Sequence, residues 1–88
     1  MNYESVMNLL QGKGFKRGTT SRSSDEGLEI IDYNPRGKRM DMYSVYVNVH
    51  GSVEFVEYTK IKWDTASHRN IPVVVKYSNL KDLIREIR

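Results

Sequence analysis

The chain contains no cysteine, two prolines, two histidines and one tryptophan in 88 residues. It also has no apolar run near the about 20 residues that span a bilayer. Without cysteine there is no disulfide framework, no thiolate zinc ligation and no cysteine nucleophile. Two histidines without His-x₃-His spacing, and carboxylates without an Asp-rich loop, supply no metal signature. The opening Met1-Asn2-Tyr3-Glu4-Ser5 lacks the basic and apolar regions of a secretory signal. These absences predict a cytoplasmic protein with no metal, no cofactor, no membrane contact and no evident small-molecule substrate.

Charge is only mildly one-signed. Fourteen Lys and Arg face eleven Asp and Glu, for a formal charge of +3. Residues 1–44 hold seven basic and six acidic side chains and residues 45–88 seven and five, so neither end forms a basic tail. Such a balance is compatible with nucleic acid or an acidic protein surface as partner. With 39% hydrophobic and 28% charged residues, the composition lies outside the disordered class and predicts a folded chain. Its length fits one domain over residues 1–88, because two cores of half this size would be too small to offset chain entropy.

Hydrophobic spacing predicts the elements. Tyr3, Val6, Met7 and Leu10 recur at helical intervals after Asn2, a good N-cap, with Glu4 in the first turn and Gly12 and Gly14 available to stop the helix. Lys16 to Gly27 has no apolar side chain and reads as a loop, with Phe15 to Thr20 as an optional edge strand. Leu28 to Tyr33 reads as a strand, ended by a type I turn at Asn34-Pro35-Arg36-Gly37. Ile71 to Tyr77 alternates as a strand near an edge, since Pro72 has no amide to donate. Leu80, Leu83, Ile84 and Ile87 then give a closing helix with one apolar stripe, capped by Ser78.

Between these lies the dominant pattern, a hairpin of Met40 to His50 and Val53 to Trp63. Tyr43, Val45, Val47 and Val49 alternate with Met42, Ser44, Tyr46 and Asn48. A three-residue loop, His50-Gly51-Ser52, would set Val49 opposite Val53 and Val47 opposite Phe55. Asp64 to Asn70 reads as a polar connection. The fold class expected is α+β: a small two-layer sandwich in the order α-β-β-β-(β)-α, with a mainly antiparallel sheet and two short helices on one face. In that arrangement Met42, Tyr46, Val56 and Tyr58 would share the open face with Lys60 and Lys62.

Those residues make the first candidate site. Rings that stack on bases beside cations that follow phosphates characterise single-strand binders, and here Tyr46, Tyr58, Lys60 and Lys62 are the candidates. Lys16, Arg17 and Arg22, with Arg36, Lys38 and Arg39 at the next turn, are further phosphate candidates. Catalysis has little to draw on. Asp64, Ser67 and His68 are triad residue types, but neighbours in one loop rarely aim at one another, and His50 stands alone at a hairpin tip.

The helix–strands–helix order resembles that of double-stranded RNA-binding domains and of the small HicA-type toxins, and Val6 to Phe15 is similar to the first helix of such toxins. Gly18-Thr19-Thr20-Ser21 stands where those toxins carry a Gly-Ser-His stretch, so no family is assigned. The sequence expectation is a non-enzymatic binding module of bacterial or phage type that meets nucleic acid through a basic sheet face and loops. The alternative is a protein-binding inhibitor or adaptor, or a homodimer, using a sheet edge at Ile71 to Tyr77 or Leu28 to Tyr33.

Overall fold

The computed structural model describes residues 1–37 and 40–87. Two helices and five strands follow one another as α1 (Tyr3–Gly12), β1 (Phe15–Ser23), β2 (Glu29–Pro35), β3 (Met42–Val47), β4 (Val53–Asp64), β5 (Arg69–Tyr77) and α2 (Leu80–Ile87). The strands form one antiparallel sheet in sequence order, β1-β2-β3-β4-β5. The α+β class stands, with five strands where three or four were expected.

The helices form where the spacing places them. Asn2 caps α1, its Oδ1 accepting from the Ser5 amide at 3.1 Å, and Gly14 takes the left-handed conformation (φ 90°) that turns the chain into β1. The cap of α2 is Asn79 and not Ser78, because Asn79 Oδ1 accepts from the Asp82 amide at 2.9 Å. Both residue types can cap, and the one whose oxygen lies three residues before a free amide does so.

Val6 and Leu10 of α1 and Leu83 of α2 join Phe15, Ile31, Tyr33, Tyr43, Val45, Val53 and Val56 in one buried cluster. The strand residues in that cluster share one sheet face, so both helices lie on it. Burial of each Val or Leu stabilises by about 1.5–3 kcal/mol, so this cluster supplies the main driving force. Aromatic contacts tie it together: Phe15 meets Tyr43 edge-on at 4.9 Å, Tyr43 stacks on Tyr58 at 4.5 Å, and the Tyr3 and Tyr33 hydroxyls hydrogen-bond at 2.9 Å.

The central hairpin departs from its expected register. Val47 pairs with Val53 across a five-residue loop, Asn48 to Ser52, and a bulge at Glu54 then sets Tyr46 against Phe55 and Val45 against Val56. Asn48 organises the loop, its Oδ1 accepting from the His50 amide at 2.9 Å and the Ser52 amide at 3.1 Å, while Gly51 adopts φ 81°. Val49 is left 88% exposed at the tip instead of paired in the sheet. The bulge reverses the face of everything beyond it, so Val53 and Val56 both enter the core and Phe55 turns to the open side.

β1 also exceeds expectation, running to Ser23 in a segment read mostly as loop. Beyond Phe15, which is buried, it is held by pairing. Arg22 reaches Asp32 at 2.8 Å, and Gly18 lets the backbones approach so closely that a Cβ there would lie 3.2 Å from the Asp32 carbonyl oxygen. β2 consequently lies between β1 and β3, which removes Leu28 to Tyr33 as an edge; the sheet edges are β1 and β5. β2 also runs on through Asn34 and Pro35, which pair with Lys16 and Phe15, so the predicted turn begins later than its sequence position. Among the described residues no helix is long and apolar enough to cross a membrane.

Candidate functional site

The structure divides the expected aromatic and basic cluster between two faces. Tyr46 lies on the open face, stacked on Phe55 at 4.2 Å, with Lys76 Nζ 4.1 Å above the Phe55 ring. Its hydroxyl donates to Glu57, and this bond, aided by partial burial, pushes its pKa up to about 12. Tyr58 lies on the helix-covered face, opposite Tyr43, and its hydroxyl donates to the buried Asp41 at 2.7 Å. Neither ring presents a free stacking surface beside Lys60 and Lys62. The bulge at Glu54 is the cause, since it carries Val56, Tyr58, Lys60 and Lys62 together to the face opposite Tyr46.

The other expected cations are dispersed. Lys16 and Arg22 project from β1 on the open face, Arg17 projects on the covered face opposite Tyr33, and Arg36 follows β2. Arg22 is occupied by Asp32, whose hydrogen bond raises the guanidinium pKa further, and Asp32 in turn accepts from Ser44 at 2.8 Å. Lys38 and Arg39 lie outside the described residues. His50 and His68 sit in separate exposed loops, and no group of three His, Cys, Asp or Glu among the described residues is arranged to hold a metal.

What the fold does assemble is a ribbon. β4 and β5 continue as a pair past Thr59, where the pairing with β3 ends, through five cross-strand pairs from Lys60–Val73 to Asp64–Arg69. At the antiparallel rise this arm is about 17 Å long. Register sorts its side chains. One face carries Lys60, Lys62 and Arg69 with Ile71 and Val73, and with Asp64 directly opposite Arg69 at the tip; the other carries Ile61, Trp63, Asn70 and Pro72 without a charge. All three cations are exposed, as is Trp63 at 54%.

The ribbon tip is locally satisfied. Asp64 accepts from Ser67 Oγ at 2.6 Å and from the Ala66 amide at 3.4 Å, and the Ser67 bond is the main reason its pKa is lowered. This is a turn device, and His68 turns the chain back at φ 52°. Asp64 is the only acid within residues 60–73, so the ribbon holds two of the three surplus positive charges of the chain. Sequence reasoning picked out Lys60 and Lys62 but missed Arg69, Trp63 and Asn70. The available signal was the continued alternation of Lys60-Ile61-Lys62-Trp63, which extends a strand beyond the length that its hairpin partner can match.

Comparison with protein-family models, with curated proteins and with solved structures returned no match.

Proposed function

We propose that this protein is a non-enzymatic nucleic-acid-binding module that engages duplex DNA with the cationic face of the β4–β5 ribbon. The observation that carries the reading is the gathering of Lys60, Lys62 and Arg69 on one face of a two-stranded arm, where the single acid, Asp64, sits at the tip and is held by its own turn. The major groove of B-DNA, about 12 Å wide, admits a two-stranded ribbon, and Lys and Arg are the side chains that pair with guanine edges and phosphate oxygens there. Lys16, Arg17, Arg22, Arg36, Lys38 and Arg39 are not needed for this contact. Tyr46 and Tyr58 serve the fold.

The test is anisotropy of labelled duplex DNA, single-stranded DNA and single-stranded RNA, which ranks the partners, with a Lys60→Gln, Lys62→Gln double variant as the ribbon probe, because Trp63 lies on the face away from the three cations. Tight duplex binding that the double variant weakens is expected. A preference for single strands, or duplex binding unaffected in the double variant, would refute the groove reading. An absence of binding at low salt would leave a protein partner as the better account of the arm.

A further inference from the structure

The two sheet edges are built differently. β1 is interrupted by a register shift between Arg17 and Ser21 and carries Lys16, Arg17 and Arg22, devices that discourage edge-to-edge pairing. Pairing β1 with a second β1 about Thr19 would set Lys16 against Arg22, like against like. β5 has no register shift against β4 and no charge from Asn70 to Val75, and Pro72 is the one such device near its centre. Val73, Val74 and Val75 run consecutively on this last strand of the sheet, with Val74 53% and Val75 36% exposed.

We propose that β5 pairs with β5 of a second copy of this chain, antiparallel about a twofold axis at Val73, giving a homodimer with a continuous ten-stranded sheet. This register uses all nine residues of the strand. Val73 meets Val73, Ile71 meets Val75, Pro72 meets Val74, Asn70 meets Lys76 and Arg69 meets Tyr77. Every pair lies on a matching face, because a twofold axis normal to the sheet preserves the alternation. Pro72 has no donor to give to either half of the seam, and pairing there falls to the alternate backbone groups of β5 that point away from β4.

Charge selects a second copy over other occupants. The first residue of β5 is cationic, and its last, Tyr77, lies in a notch with Lys76, Asp82, Arg85 and Glu86. Arg85 lies 3.9 Å from Asp82, and Lys76 sits on the opposite face over Phe55. Glu86, which accepts from the Tyr77 hydroxyl, is then the acid left to face the seam. Antiparallel self-pairing brings Arg69 of one copy to the Tyr77 ring and Glu86 of the other, twice per dimer, and places no like charges opposite each other.

Sedimentation velocity across a concentration series tests the dimer. Wild-type protein is expected to dimerise, and Val73→Lys and Val73→Glu are each expected to raise the dissociation constant at least about tenfold by facing like charges across the axis. An equimolar mixture of the two variants should dimerise again. Because Val73 is half-buried, a cysteine variant guards against misfolding: Val73→Cys places two thiols across the axis at a Cα separation of about 4.5–5.5 Å, which a disulfide bridges. It should oxidise to a covalent dimer far faster than Val49→Cys at the exposed hairpin tip. A wild-type monomer at every concentration, or equal oxidation rates for the two cysteine variants, overturns the proposal. The pairing also adds a third strand to the ribbon, so the disulfide-locked dimer should lose duplex binding and regain it on reduction. That consequence rests on the ribbon reading: duplex binding by the locked dimer would refute the groove fit and leave the seam standing.

Discussion

Salt dependence gives the ribbon reading a number. Each phosphate neutralised on B-DNA contributes about −0.9 to the slope of log K against log salt. Lys60, Lys62 and Arg69 together therefore predict a slope of about −2.7, a weakening of about 40-fold between about 50 and about 200 mM salt. Replacing Lys60 and Lys62 by Gln leaves Arg69 alone, for a slope of about −0.9 and a loss of about threefold over the same range. Both lysines are exposed, so the double variant should fold normally, as circular dichroism would check. Arg22→Gln is the internal control, since Arg22 is held by Asp32 on the open face and its loss should leave the slope unchanged. Anisotropy titrations of one duplex at five salt concentrations measure all three proteins. An unchanged slope in the double variant, or a shallower one in Arg22→Gln, would refute the assignment of phosphate contacts to the ribbon.

Three further outcomes follow from the fold. Val56→Ala should cost about 2–3 kcal/mol in denaturant unfolding, because Val56 is fully buried, whereas Phe55→Ala on the open face should cost less, the reverse of what the three-residue loop register implies. Gly18→Ala should destabilise by about 1 kcal/mol or more, since the added Cβ meets the Asp32 backbone, which cannot swing away as a side chain could. Stability should fall as pH rises above 10: the Tyr46 pKa is raised from 10.0 to about 12, so the unfolded chain loses this proton first and gains stability relative to the native state. Tyr33, Tyr43 and Tyr77 are raised in the same direction, chiefly by burial. Their contribution is fully present below pH 10 and is lost through the folded pKa, and Tyr46→Phe should make urea midpoints between pH 9 and 11.5 fall less steeply.

Periodicity made both helices legible, because Val6, Leu10 and Leu83 repeat on one side and polar residues fill the other. β3 was equally clear. The register of β4 was not, because Val53, Phe55, Val56 and Tyr58 offer apolar side chains to both faces and leave nothing in the local pattern to say where the alternation breaks. Tertiary packing decides it: the five-residue turn closed by Asn48 fixes Val53 against Val47, and the core then accepts Val56 in preference to Phe55. β1 was hidden for the opposite reason. Its strand state depends on the neighbouring chain, through backbone pairing and the Arg22–Asp32 contact, and not on an apolar stripe of its own.

The site was obscured by the same bulge. A reading with uninterrupted alternation puts Tyr46 and Lys60 on one face and suggests a stacking platform; one extra residue at Glu54 separates them and leaves the lysines on an arm whose own aromatic, Trp63, lies on the opposite face. Charge is likewise almost even between the two halves of the chain, and folding concentrates it by carrying β4 and β5 past the rest of the sheet. Such an arm is costly for the fold, because fixing each residue takes about 1–2 kcal/mol of backbone entropy and the ribbon buries little in return. Two-stranded structure without a third strand or a helix is marginal in water. Ile61, Ile71 and Val73, β-branched and half-buried, recover part of that cost across the pairs, but none belongs to the buried cluster. The cationic face and the Val-rich edge therefore sit on the segment that contributes least to the core, where DNA on the face or a second strand on the edge would supply the contacts the isolated arm lacks.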